Sequence, residues 1–124
     1  MFRRTAQFHG ELVLEYLVFL SRNPLYEFAA HLVRRTRPSD PECPEWARPL
    51  IGWGGGPRAV QYLILGAKSR AALKGSYMVR LEDVTAVAEP VLMHRVITSF
   101  GAETEGVSPR EIVRRLVEEL ENEA

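Results

Sequence analysis

Cysteine is scarce in this chain: Cys43 stands alone among 124 residues. No internal disulfide can form, and no cysteine-rich metal site. His9, His31 and His94 are too scattered for a zinc site, and no HExxH is present. A reducing compartment suits such a chain. A long apolar run is missing as well. Arg3 and Arg4 precede an apolar stretch from Leu12 to Leu20, the order of a secretory leader. Glu15 interrupts that stretch and no small-residue cleavage site follows. It is much too short to cross a bilayer. The expectation is a cytoplasmic protein with no membrane partner.

Net charge is absent too, since 16 basic residues balance 16 acidic ones. Together with the lack of a helix-turn-helix or other reading motif, this argues against a nucleic-acid partner. The charges are nevertheless unevenly placed. Residues 57–80 carry five basic groups (Arg58, Lys68, Arg70, Lys74, Arg80) and no acid, while residues 81–124 carry four basic and ten acidic groups. A basic segment beside an acidic one fits charged contacts with a partner, and equally a pair of solvated faces.

Hydrolytic motifs are lacking. There is no GxSxG, and Cys43 sits among prolines with no base suggested. Gly66-Ala67-Lys68-Ser69 ends like a phosphate-binding loop, but Gln61 stands where the first glycine belongs. The segment also falls inside a helical pattern, where backbone amides are not free to cradle phosphates. No apolar strand ends in an acidic pair that would hold Mg²⁺. The chain alone is not expected to hydrolyse ATP.

Apolar residues make up 46% of the chain, enough for the core of one domain. Helical periodicity dominates. Glu11 to Arg22 is apolar nearly all round, the pattern of a helix buried or covered by a partner. Pro24 to about Arg35 shows one apolar face: Leu25, Phe28, Ala29, Leu32 and Val33. Residues 36–44 hold three prolines and read as a stiff loop. A short helix from Pro44 to Ile51 is expected next, ending at Gly52. Pro57 to Lys74 reads as a long helix with Gly75 as its C-terminal cap. Tyr77-Met78-Val79 suits a brief extended piece. Leu81 to about Ile97 is the next helix. Ser108-Pro109-Arg110-Glu111 has the pattern of a capping box opening the last one. No segment shows sustained strand alternation. The fold class is all-α, a compact bundle of five or six helices.

The glycine-rich stretch Gly52 to Gly56 leads into Pro57-Arg58. A helix start offers unpaired amides and a partial positive charge, and an arginine there completes a site for an anion such as a phosphate. A solvent-facing arginine after a flexible turn explains this segment, taken alone, somewhat better. Trp46 and Trp53 read as core or interface anchors.

Five segments occur in a fixed order: Thr36-Arg37-Pro38, Trp53 to Ala59, Ala67 to Ala71, Glu82-Asp83-Val84, and Val91 to Arg95. Over roughly residues 25–121 this order resembles the lid of MoxR-type AAA+ ATPases, which is similar to that of magnesium-chelatase ATPase subunits. The resemblance implies an AAA+ lid-like helical bundle over 24–124, with 1–23 as an N-terminal helix linking to a core outside the chain. It implies a chaperone-like, ATP-driven machine in which Arg58 is the sensor-2 residue, approaching the γ-phosphate, with Gly55 and Gly56 allowing close approach. Arg37 and Arg95 become candidate subunit contacts, although Arg95 also suits a helix C-terminal cap. ATP and Mg would be bound only through the AAA+ core. Partners would be that core, neighbouring subunits of a ring and proteins with von Willebrand A domains. The alternative is a free-standing helical protein–protein interaction module. The sequence departs from the family at Arg80-Leu81, where a Ser or Thr cap is usual, and in the short turn at Asn23-Pro24.

Overall fold

The computed structural model describes residues 23–123. The expected helix from Glu11 to Arg22 lies outside them. Helix α1 (Pro24–Arg35) begins where the sequence places it, because Asn23 Oδ1 accepts the Leu25 N–H at 2.9 Å and Pro24 occupies the first turn. It buries Phe28, Ala29, Leu32 and Val33, and ends with Arg34 and Arg35 at the negative pole of its dipole.

The expected helix from Pro44 to Ile51 is absent. Only one 3₁₀ turn forms, Arg48–Leu50, and Ile51 already belongs to strand β1 (Ile51–Trp53). Pro49 inside so short a segment removes a donor, and the backbone of Ile51 instead pairs with strand β2 (Ile97–Thr98). Strands of three and two residues are too short to show alternation, so the sequence offers no sign of them. The small sheet leaves the fold class all-α.

Helix α2 (Pro57–Leu73) is the longest described element, at 17 residues. Its inner face carries Ala59, Val60, Leu63, Ala67 and Ala71. It stops at Gly75, whose φ of 75° is easy only for glycine. There the Ser76 N–H reaches Ala71 O at 2.9 Å and the Gly75 N–H reaches Ala72 O at 3.0 Å, the paired bonds that close a helix end. Gly66 lies mid-helix, where a Cβ would meet Val87 of the next helix at 3.4 Å. The phosphate-loop look-alike is therefore interior helix.

Helix α3 (Leu81–Leu92) is five residues shorter than its apolar stripe suggests. After Leu92 the chain turns: the Arg95 and Val96 N–H groups both bond Leu92 O, at 2.9 and 3.0 Å. Val96 is buried by that turn and Ile97 is drawn into β2. Sheet pairing wins over the continued helical pattern. A six-residue helix that the periodicity does not reveal follows, α4 (Phe100–Glu105), capped by Ser99 Oγ and ended at Gly106 with φ 75°. Ser99 also fastens α4 to the 3₁₀ turn, its N–H bonding Leu50 O and its hydroxyl Pro49 O. Helix α5 (Pro109–Glu123) starts at the expected cap, with Ser108 Oγ accepting the Glu111 N–H at 3.3 Å. Leu32, Leu63, Leu92 and Leu116, from α1, α2, α3 and α5, meet in the core, each fully buried. Burying one such leucine contributes about 1.5–3 kcal/mol.

At the start of α3 the missing Ser or Thr cap is replaced. The buried carboxylate of Asp83 accepts the Arg80 N–H at 2.8 Å and receives the Arg70 guanidinium from α2. The Arg80 bond, with help from Arg70 and Lys74, holds Asp83 below its ordinary carboxylate range, against burial, which raises it. Glu123 is lowered likewise by its bond from Arg35. A depressed folded pKa stabilises above the unfolded value of about 3.9–4.3 and loses that contribution as pH falls through the folded one. The thermal midpoint should therefore hold from pH 7 to about 5 and then drop in acid. Asp83→Asn should lower it at pH 7, on the order of 5 °C, and flatten the acid-side drop. A circular-dichroism melt at each pH reads both, and an unaltered profile in the variant would refute the role of Asp83.

Candidate functional site

The site is built where the end of α1 meets the loop before α2. Thr36, fully buried, donates its hydroxyl to Val33 O at 2.6 Å and accepts the Gly55 N–H at 2.9 Å. Arg37 Nε donates to Gly55 O at 2.7 Å. Both polar groups of Gly55 are thus held by the Thr-Arg pair, and Gly54 lies against the same peptide. A Cβ on Gly54 would fall 2.5 Å from the Thr36 carbonyl carbon and 2.9 Å from the Arg37 nitrogen. Gly54 is needed for the close packing of two backbones. An open cleft of about 420 Å³ borders this latch, lined by Arg37, Pro38, Ser39 and the loop from Gly52 to Gly56.

Thr36→Val keeps the shape, but it removes one acceptor and one donor from the latch. The buried Gly55 N–H is then left unpaired, which costs about 1–3 kcal/mol. A chemical denaturation curve should show that loss with an unchanged slope. Full stability in the variant would remove the latch from the account.

Arg58 lies three residues beyond the latch, in the first turn of α2, with its side chain exposed. It has no hydrogen bond or ion pair among the described residues, and no acid shares that turn. A cation beside the positive pole of a helix is unfavourable by roughly 0.3–1 kcal/mol. The amides contribute less than the sequence suggests. Pro57 has none, the Gly55 N–H bonds Thr36, and the Ala59 N–H bonds Gly56 O at 3.0 Å. What this turn offers an anion is chiefly the guanidinium and the helix dipole. Gly56 is exposed and a Cβ there meets nothing within 4 Å.

The remaining candidates sit elsewhere. Arg95 Nη1 bonds Val91 O at 2.9 Å and its guanidinium stacks 4.4 Å from the Tyr62 ring centre, which ties the end of α3 to α2. Arg37 is half-buried in the latch. Trp46 packs against the core, bonds Glu119 at 3.1 Å and carries Arg115 over its ring at 4.0 Å. Trp53 is exposed. Of the basic segment, Arg70 and Lys74 pair with Asp83 and Glu82. Cys43 is buried, and burial pushes its thiol up against the pull of Arg48, the opposite of a poised nucleophile. Among the described residues no group of His, Cys, Asp or Glu could hold a metal ion. No described helix is long and apolar enough to cross a membrane.

Residues 44–116, from the loop before the 3₁₀ turn to the middle of α5, match the family profile described as the AAA lid domain. The chain belongs to the AAA lid domain family. This lid is similar to Chaperone MoxR1 of Mycobacterium tuberculosis, 27% identical over 94 residues, which are 76% of the lid and 25% of the relative. It is also similar to a crystal structure of a candidate ATPase from Cytophaga hutchinsonii. The identity is 32% and the TM-score 0.71, with 76% of the lid and 28% of that chain covered. The lid profile and the likeness to MoxR1 together support a lid of the MoxR type of AAA+ ATPase. The lid spans about a quarter of the length of each relative. The profile begins at residue 44, so the Thr36–Arg37 latch lies outside its match.

Proposed function

We propose that this lid works with a nucleotide-binding AAA+ core, supplied by another segment or subunit, and presents Arg58 to the γ-phosphate of the ATP bound there. The supporting observation is an exposed guanidinium, without an acidic partner among the described residues, fixed at the start of a rigid helix. ATP with Mg²⁺ supplies the phosphoryl group, and the core supplies the ligands for both. Arg58 would bring one fixed positive charge, in a planar fork suited to phosphate oxygens. The Thr36–Gly55 latch would keep that charge from swinging with the loop.

By resemblance, the assembly is a ring of subunits that remodels client proteins together with von Willebrand A domain partners. The chain alone should show no ATP turnover. A MoxR-class ATPase whose own lid has been removed should regain hydrolysis when this chain is fused in its place. A fusion that folds yet stays as inactive as the lidless enzyme would overturn the reading.

A further inference from the structure

Strand β1 contains a displaced register. Ile51 pairs with Thr98 and Trp53 with Ile97, so two steps along β1 oppose one along β2 and Gly52 is the extra residue. In a regular strand Ile51 and Trp53 would share a face. Here Ile51 is buried and Trp53 is 72% exposed. The bulge at Gly52 turns the indole outward, and bulges that re-aim a side chain recur beside functional sites. Its cross-strand neighbour Ile97 is 61% exposed, and Phe100, at the start of α4, is 84% exposed. Three large apolar side chains thus lie in water along one short stretch of sheet and helix start. Tryptophan and phenylalanine are the residue types that anchor protein interfaces.

We infer that Trp53, Ile97 and Phe100 form the apolar seat by which the lid docks on its AAA+ core. The occupant is set by continuity. Trp53 lines the same cleft as Gly55 and Gly56, and Arg58 follows within the next turn. Between Arg58 and Trp53 the chain has only glycines and Pro57, so the indole is the next large side chain that a surface reaching Arg58 meets along the loop. This inference rests on the reading of Arg58 for its partner, but it concerns docking rather than hydrolysis. A buried aromatic anchor would also hold the guanidinium in register with the phosphates.

Titration calorimetry between the full chain and a lidless MoxR-class core, loaded with a non-hydrolysable ATP analogue, tests it. Trp53→Ala, and separately Ile97→Ser with Phe100→Ser, should each weaken binding at least tenfold with an unaltered circular-dichroism spectrum. Tyr77→Ser, fully exposed at the other end of α2, should bind like the parent chain. Arg58→Ala, which loses only the phosphate contact, should dock like the parent chain on a core emptied of nucleotide and fail in hydrolysis when fused. Normal docking by Trp53→Ala, or no docking by the parent chain, overturns the inference. So does a change in the chain's own oligomeric state with Trp53→Ala in the absence of core, which would make a second copy the occupant. Quenching of Trp53 by free ATP alone would make it a nucleotide contact and overturn it as well. If the fused Arg58→Ala hydrolyses normally while Trp53→Ala fails to dock, the seat stands and the role of Arg58 falls.

Discussion

Replacing Arg58 with alanine should lower ATP hydrolysis by on the order of a thousandfold in a fusion that joins this lid to an AAA+ core. The effect is large because an arginine aimed at a transferring phosphoryl group acts where charge shifts in the transition state. The lid's own thermal midpoint should not fall. The side chain is exposed and touches no acid among the described residues, and its removal relieves the unfavourable cation at the helix start. Arg58→Lys should recover only part of the rate, since it keeps the charge but loses the planar fork. Steady-state hydrolysis and a melt on the same preparations decide the matter. Unchanged hydrolysis would remove Arg58 from the chemistry, and a collapsed midpoint would make it structural.

Gly54→Ala gives the second large effect, on stability. The added methyl group lands against the Thr36 carbonyl, and every atom it meets is backbone. No side chain can rotate away. Either the Thr36–Arg37 peptide or the glycine loop has to shift, and both hydrogen bonds to Gly55 go with it. Overpacking and the broken latch together should cost about 3 kcal/mol. For a domain of this size that lowers the melting temperature by roughly 10–20 °C. Gly56→Ala is the matched control, because a Cβ there has open space. It should melt within about 3 °C of the parent chain. Equal melting of the two variants would show that the contact between the loops is not what holds them.

The helices with long apolar stripes and recognisable caps were legible in the sequence. Asn23-Pro24, Pro57, Gly75 and Ser108-Pro109 mark ends that the structure keeps. What escaped depends on partners far along the chain. Ile51 leaves the helical pattern because Ile97 and Thr98, more than forty residues on, offer a ladder. Leu92 ends α3 for the same reason. The bulge that exposes Trp53 exists only once that ladder forms. Of the candidate site, Arg58 was singled out by the family resemblance, since Pro57 and the glycine loop alone suit a solvent-facing arginine, and the structure does leave it exposed. The function of Gly54 did not, since nothing local says that Thr36 lies against it. A Thr-Arg pair at the end of one helix and a glycine cluster before another was the available hint.

Helix α2 runs unbroken for 17 residues from the Arg58 turn to the Gly75 stop, and Arg70 clamps it to the first turn of α3. At 1.5 Å per residue that is a rod of roughly 25 Å. A tilt of ~5° pivoting at the Arg58 end sweeps the far end through ~2 Å. Leu73, Tyr77 and Met78 stand in water at that far end. A small displacement where the nucleotide is met would thus arrive magnified at an oily tip, with α3 carried along by the clamp.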